Sequence, residues 1–160
     1  MSYLRRNRRR LPMRESLAHR MRTVSRLLMR NLEDRISAHG ITQGMWFYLR
    51  VLWEHDGISQ KELSERTGVV GPSTVGAIAR MESMGLIRCR KNHTDRRITT
   101  VHLTAKGKAL EAKLVPLAID VINEAVAGLP RAEIDQAKAV LDHMRDNLAS
   151  RQGSITRQDT

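Results

Sequence analysis

Hydrophobic positions along the chain recur at helical spacing near both ends. Apolar residues fall every three or four positions from residue 13 to 39, from 105 to about 127 and from 134 to 148. Gly40 and the run Gly128-Leu129-Pro130 interrupt these segments. The pattern predicts long amphipathic helices at both ends of the chain.

A second helix is predicted after Thr42, a candidate N-cap, and it stops at Asp56-Gly57. Most of the aromatic residues of the chain fall in this helix. They are Trp46, Phe47, Tyr48 and Trp53. Aromatic residues at helical spacing usually form core, and the wall of a ligand pocket is the alternative.

The middle of the chain contains signals for two short helices joined by a tight turn. Ser59 and Glu62 have the spacing of a capping box, and the helix that they open ends at Gly68. Pro72 suits the first turn of the next helix, which runs to Gly85. Two short helices across a small-residue turn predict a helix-turn-helix.

The helix that begins at Pro72 has two different faces. One face is formed by Thr74, Ala77, Ile78 and Met81. The opposite face is small or polar and consists of Ser73, Val75, Gly76, Ala79, Arg80 and Ser83. Small side chains let a helix lie close to another surface, such as the major groove of DNA, and an ordinary solvent face is the alternative.

A β-hairpin is predicted next, from residues 86–91 and 98–103 around a polar turn at 92–95. Its basic residues are Arg88, Arg90, Lys91, His93, Arg96 and Arg97. Asp95 precedes Arg97 by two residues, a spacing that allows its carboxylate to orient the guanidinium for insertion into a narrow groove. Thr104 is a candidate cap for the long helix that starts at Ala105.

The net charge of +11 is concentrated in two segments. Residues 1–22 contain eight arginines against one glutamate, and residues 88–108 contain seven basic residues against one aspartate. Concentrated basicity is typical of a surface that meets a polyanion. Nucleic acid is favoured, and an anionic membrane is the alternative.

Composition excludes several classes of protein. The 160 residues are 41% hydrophobic and 28% charged, which is typical of a folded protein, and no apolar run approaches the roughly 18 residues of a membrane span. We therefore expect a cytoplasmic protein that does not bind membranes. No metal-ligand spacing, phosphate loop or nucleophile elbow is apparent, so the chain is not expected to be an enzyme or to hold a cofactor or metal.

The single cysteine, Cys89, can form neither an internal disulfide nor a multi-cysteine metal site. Its neighbours Arg88 and Arg90 raise the possibility of a lowered thiol pKa. An inert packing role is the alternative.

Three runs of residues resemble the MarR family of winged-helix transcriptional regulators. They are Met84-Gly85-Leu86-Ile87-Arg88, Thr94-Asp95-Arg96-Arg97, and Val101-His102-Leu103-Thr104-Ala105-Lys106-Gly107. The resemblance covers about residues 15–150. It implies a mainly α protein with a small β-hairpin wing, in which residues 41–104 form the winged helix-turn-helix and 13–40 with 105–150 form an intertwined dimerisation region. Residues 1–12 are then expected to be a flexible basic arm and 151–160 a disordered tail.

The resemblance also assigns roles on double-stranded DNA. Arg97 is expected in the minor groove, oriented by Asp95, while Ser73, Val75 and Gly76 face bases. Many members have a Thr-Arg pair where Val75-Gly76 stands, so contact with thymine methyl groups or readout of DNA shape is expected to matter more here. The complete candidate DNA-binding set is Ser73, Val75, Gly76, Arg80, Arg88, Arg90, Lys91, His93, Asp95, Arg96 and Arg97.

Family members bind small molecules among their first, second and fifth helices. The candidate effector-binding residues here are Arg22, Arg26, Trp46, Phe47 and Tyr48. We therefore expect a homodimeric repressor that an aromatic or carboxylated ligand releases from a pseudo-palindromic operator. The alternatives are a constitutive architectural DNA-binding protein and a membrane-binding or RNA-binding module that uses the arginine arm.

Overall fold

A computed structural model describes residues 13–68, 72–92 and 94–155. This part of the chain contains six α-helices and a two-stranded antiparallel hairpin. In chain order they are α1 Leu17–Ile36, α2 Gln43–Glu54, α3 Gln60–Thr67, α4 Pro72–Ser83, β1 Ile87–Lys91, β2 Thr99–Leu103, α5 Ala105–Ala125 and α6 Arg131–Ile155. Short 3-10 turns at Met13–Glu15 and Ser37–His39 flank α1.

The chain forms two compact units, Met1–Ile122 and Asn123–Thr160. The first unit contains the hairpin and the helices from α1 to most of α5. The second contains α6, which continues to Ile155 and so extends into the segment 151–160 where the sequence predicts a tail. The predicted arm, residues 1–12, lies outside the described residues.

The helix boundaries follow the local signals in the sequence. The Thr42 hydroxyl accepts the backbone N–H of Met45 at 3.4 Å, and the Ser59 hydroxyl accepts that of Glu62 at 3.1 Å, so both predicted N-caps are confirmed. Gly68 ends α3 with φ of +67°, a left-handed conformation that glycine adopts at little cost. Together these residues set the start of α2 and both ends of α3.

The hairpin gains a third, short segment that the sequence pattern does not indicate. β1 and β2 pair from Ile87 opposite Leu103 to Lys91 opposite Thr99. On the other edge of β2, Val101 donates its N–H to the carbonyl of Ile58 at 2.8 Å and accepts the N–H of Gly57 at 3.0 Å. The stretch between α2 and α3 therefore extends the sheet.

The hydrophobic core of the first unit joins all of its main elements. Its fully buried members include Ile36, Ile41, Met45, Leu49, Leu52, Leu63, Met81, Leu86, Ile87, Val101 and Leu114. α4 contributes the stripe predicted for it, since Thr74, Ile78 and Met81 are at most 6% exposed. This burial determines which face of α4 remains outside.

The start of α5 packs closely against the turn that follows α4. A Cβ on Gly107 would overlap the carbonyl oxygen of Leu86, so only glycine fits there. The Thr104 hydroxyl donates to the carbonyl of Gly85 at 2.6 Å, and Lys106 Nζ donates to that of Met84 at 2.9 Å. The C-terminal end of α4 is thereby held by the beginning of α5.

Within the part of the chain that the structure covers, no helix has the length and apolar character needed to cross a bilayer.

Candidate nucleic-acid interface

The outer face of α4 is exposed, and its charged residues are Arg80 and, near the C-terminal end, Glu82. Val75 is 67% exposed, and Gly76, Ala79, Arg80 and Ser83 are exposed as well. Ser73 is in the first turn of this helix, and its side chain lies outside the described part of the chain. A helix surface with such small side chains can approach another surface closely.

A buried polar contact holds α4 against its neighbours. The Tyr48 hydroxyl of α2 donates to Thr74 Oγ1 at 2.9 Å, and Ser64 Oγ of α3 lies 3.4 Å from the same atom. Because a buried hydroxyl without a hydrogen-bond partner costs about 1–3 kcal/mol, these contacts favour one position of α4 on the core. The exposed face is thus presented from a fixed position on the core.

The turn of the hairpin is organised by side-chain acceptors. Asn92 Oδ1 accepts the N–H groups of Thr94 and Asp95 at 2.8 and 3.2 Å, and Asp95 Oδ1 accepts the N–H of Arg97 at 2.9 Å. The ion pairs of the described residues include none between Asp95 and Arg97. Asp95 therefore positions Arg97 through its backbone, whereas the sequence analysis expected contact with the guanidinium.

Basic side chains cover the outer surface of the hairpin. The exposed basic residues are Arg88, Arg90, Lys91, Arg96 and Arg97. Arg88 and Arg90 alternate with the more buried Ile87 and Cys89 along β1, so both arginines project from the same face. His93, the remaining basic candidate, lies outside the described residues. The charge is therefore presented to solvent, where it can meet a polyanion.

Comparison with known proteins identifies the family. The model of the MarR family matches residues 41–99, which include α2 to the start of β2. A solved structure of the transcriptional regulator PA3341 is 30% identical, with a TM-score of 0.76, and the match covers 84% of this chain and 99% of that one. The chain belongs to the MarR family. The expected mainly α, winged-helix fold is confirmed.

Two curated relatives of this MarR-family chain are transcriptional regulators. The HTH-type transcriptional regulator TtmR of Methylorubrum extorquens (strain PA1) is 31% identical over 122 residues, 74% of this chain. The homoprotocatechuate degradative operon repressor of Escherichia coli is 32% identical over 75 residues, 47% of this chain. The chain spans 60% and 51% of the lengths of these relatives. Their names agree with the prediction that the chain is not an enzyme.

In this MarR-family protein, Cys89 is half-buried between the hairpin and the helices. Burial raises the pKa of its thiol above the ordinary value of 9.0, and the negative charge of Glu82 raises this pKa further. Gln60 Nε2 donates to the sulfur at 3.8 Å, which has the opposite but smaller influence. The possibility of a lowered pKa is therefore wrong, and the thiol is protonated at neutral pH.

The predicted effector residues separate into two groups in the MarR-family structure. Arg22 and Arg26 border an open groove of about 430 Å³ along α1. The groove is lined by Arg22, Ser25, Arg26, Met29, Arg30, Glu33 and Gln43. Arg30 was not among the predicted effector residues, although its four-residue spacing from Arg26 places both on the same side of the helix.

The aromatic candidates pack into the core and are not among the lining residues of this groove. Trp46 and Tyr48 are 6% and 1% exposed, and Phe47 packs against the core from a partly buried position. The ring of Trp46 meets that of Trp53 edge to face at 5.8 Å between centroids. The groove is lined mainly by polar and charged side chains, and Met29 is its apolar member.

Proposed function

We propose that this protein is a homodimeric, sequence-specific DNA-binding repressor whose affinity for its operator is lowered by a small carboxylated ligand. The observation that carries the proposal is the exposed face of α4, with its small side chains, beside a hairpin with five exposed basic residues. A helix enters the major groove with small side chains against base edges, while basic residues beside it neutralise phosphates. Membership of the MarR family supports the same role.

On this proposal the two elements read different grooves. Val75 and Gly76 of α4 lie against bases in the major groove with Ser73, and Arg80 contacts the backbone nearby. Arg97 enters the minor groove, where its position is supported by the bond from its N–H to Asp95. The remaining basic residues of the hairpin, with His93, contact phosphates.

The proposed dimerisation region consists of residues 13–40 and 105–150. Its helices expose large apolar side chains in the single chain. These include Leu17, Met21, Val24 and Leu27 of α1, Ile119 and Ile122 of α5, and Val140, Leu141 and Leu148 of α6. Because exposed apolar area of this extent is unfavourable in water, a second copy of the chain is the proposed cover.

The proposed effector lies in the groove along α1. Arg22, Arg26 and Arg30 face Glu33 there, so positive charge predominates and a carboxylate finds guanidinium partners. None of the aromatic candidates lines this groove, so the proposed ligand is recognised through its carboxylate. The homoprotocatechuate degradative operon repressor, a relative of this chain, supports repression as the outcome of DNA binding.

The experiment that tests DNA binding is a footprint on the promoter regions adjoining the gene, followed by a salt titration. We expect two protected half-sites related by dyad symmetry and about one helical turn apart. If roughly 6–10 phosphates are neutralised, affinity falls about 10³–10⁵-fold between 50 and 200 mM salt.

A flat salt profile or a footprint without dyad symmetry would contradict the proposal. A protein that binds all duplexes alike, and that no aromatic or aliphatic carboxylic acid releases, would instead be a constitutive architectural DNA-binding protein.

A further inference from the structure

Glu82 places a negative charge beside the basic hairpin, at the C-terminal end of the proposed DNA-reading helix. Its side chain is exposed, and Oε1 accepts the backbone N–H of Cys89 in β1 at 2.7 Å. Hydrogen bonds to an ionised acceptor are about twice as strong as neutral ones. The bond connects α4 directly to the hairpin.

The pairing pattern of the sheet explains why this N–H is available. Cys89 lies opposite Val101, whose N–H and carbonyl bond to Ile58 and Gly57 on the other side of β2. In an antiparallel ladder, pairs that exchange hydrogen bonds alternate with pairs that do not, so Cys89 and Val101 form a pair of the second kind. The N–H of Cys89 therefore points away from β2, toward the outer edge of the hairpin.

A second carboxylate holds the opposite edge of the hairpin in the same manner. Asp56, which follows α2, accepts the N–H of Leu103 through Oδ1 at 2.7 Å. Its other oxygen, Oδ2, pairs with Lys108 Nζ of α5 at 3.2 Å. The two outer edges of the hairpin are thus each bound by a carboxylate, β1 by Glu82 and β2 by Asp56.

A second contact at Cys89 connects α3 to the same strand. Gln60 Nε2 at the start of α3 donates to the Cys89 sulfur at 3.8 Å. Cys89 is consequently the residue at which α3, α4 and β1 meet. The hydrogen bond from Cys89 to Glu82 therefore favours one angle between α4 and the hairpin.

From this geometry we infer that Glu82 is a positioning residue, which sets the hairpin relative to α4 so that both reach the same DNA duplex. The inference rests on the proposed function. A carboxylate this close to Arg88 and Arg90 opposes phosphate binding, so its contribution to DNA recognition comes through the bond to Cys89. The side chain of glutamine has the same length and an oxygen that can accept the Cys89 N–H, but it has no charge. Glu82→Gln therefore distinguishes the effect of the hydrogen bond from the effect of the negative charge.

The test compares Glu82→Ala with Glu82→Gln in the full chain on the footprinted operator. Glu65→Ala is the matched control, because it removes another exposed carboxylate, on α3, whose partner is Lys61, four residues before it. Hydroxyl-radical footprints and dissociation constants are measured, together with hydrogen exchange at the Cys89 amide.

With Glu82→Ala we expect protection at the flanks, where the hairpin binds, to be lost while protection by α4 at the centre of each half-site remains. Losing a bond to an ionised acceptor corresponds to about a tenfold lower operator affinity and at least about tenfold faster exchange of the Cys89 amide. Glu82→Gln keeps the flanks and the slow exchange, and Glu65→Ala behaves as the unmodified protein.

If the flanks of the operator remain protected by the Glu82→Ala protein, the inference is overturned. It is also overturned if both Glu82 variants bind the operator more tightly to the same extent, because Glu82 would then act only by repelling the DNA phosphates. If Glu82→Ala does not fold, Glu82→Gln decides: intact flanks with slow exchange support the inference, and lost flanks overturn it. If the unmodified protein gives no sequence-specific footprint, the proposed function itself is rejected. If the unmodified protein gives a normal footprint and Glu82→Ala leaves it unchanged, only the inference about Glu82 is rejected.

Discussion

At the scale of single residues, two neighbouring arginines of the hairpin turn are expected to contribute differently to DNA binding. Arg96 and Arg97 are both exposed, and the N–H of Arg97 is held by Asp95 Oδ1. Arg97→Ala should weaken operator binding about tenfold or more, since a specific groove contact is worth about 1–3 kcal/mol. Arg96→Ala, the control, should lose only the smaller contribution of one phosphate contact. Titrations with labelled operator measure both.

The same proposal makes Asp95 important through the turn. Asp95→Ala should reproduce part of the Arg97 defect, while Asp95→Asn retains an oxygen that accepts the N–H and should be milder. Equal losses from Arg96→Ala and Arg97→Ala would remove the special role of Arg97. Sedimentation of each variant shows whether its oligomeric state is the same as that of the unmodified protein.

Val75 is expected to contact the 5-methyl group of thymine, because its apolar side chain is 67% exposed on the outer face of α4. One buried methyl group corresponds to about 0.8 kcal/mol, or roughly fourfold in affinity. Replacing operator thymines singly with uracil should identify one position where the loss occurs.

The Val75→Ala protein should bind operators with thymine or uracil at that position with equal affinity. Ala79→Gly serves as a control from the same exposed face. A Val75→Ala variant that still distinguishes the two bases would show that the methyl group is recognised by another residue.

At the scale of elements, the contact between α5 and the turn after α4 depends on Gly107. Gly107→Ala would drive a methyl group into the Leu86 carbonyl and should destabilise the fold by about 3 kcal/mol or prevent folding. Gly44→Ala is the control, since a Cβ there meets no atom within 4 Å and should change stability by less than about 1 kcal/mol. Urea denaturation measures both, and similar midpoints would contradict the close packing.

The contacts around this turn also show how the elements of the first unit depend on one another. Trp53 Nε1 of α2 donates to the carbonyl of Gly107 at 3.0 Å, and Thr104 bonds to the carbonyls of Gly85 and Leu86. Three elements therefore meet at the C-terminal end of α4. A disturbance at the start of α5 is expected to reach α4, the proposed DNA-reading helix, by this route.

At the scale of the whole molecule, the proposed dimerisation through α6 leads to a prediction about assembly. Leu148 is 65% exposed in the single chain, and burial of a leucine is worth about 1.5–3 kcal/mol. Leu148→Glu should therefore raise the dimer dissociation constant by more than about tenfold. Gln136→Glu adds the same charge to α6 and should leave the dimer intact. Analytical ultracentrifugation distinguishes them.

A monomeric unmodified protein at micromolar concentration would contradict the proposed dimer. A Leu148→Glu protein that remains as dimeric as Gln136→Glu would place the interface elsewhere on the chain.

Local signals allowed the sequence by itself to determine the order of the elements, most of their ends, and the two faces of α4. The caps at Thr42 and Ser59 and the left-handed Gly68 act within a few residues of each helix end, so they are visible in a short window of sequence. The burial of Thr74, Ile78 and Met81 follows from helical periodicity in the same way.

Only the tertiary structure decided which distant groups meet. The third segment of the sheet, the bonds from Glu82 and Asp56 to the hairpin edges, and the overlap at Gly107 all join residues that are separated in sequence. The separation of the groove arginines from the buried Trp46 and Tyr48 likewise depends on how α1 and α2 pack, although all of these residues lie on helices that were predicted correctly. The physical reason is that strand register and helix packing determine which backbone groups and side-chain oxygens come together. Register and packing each involve more than one element, so the sequence of a single element does not encode them.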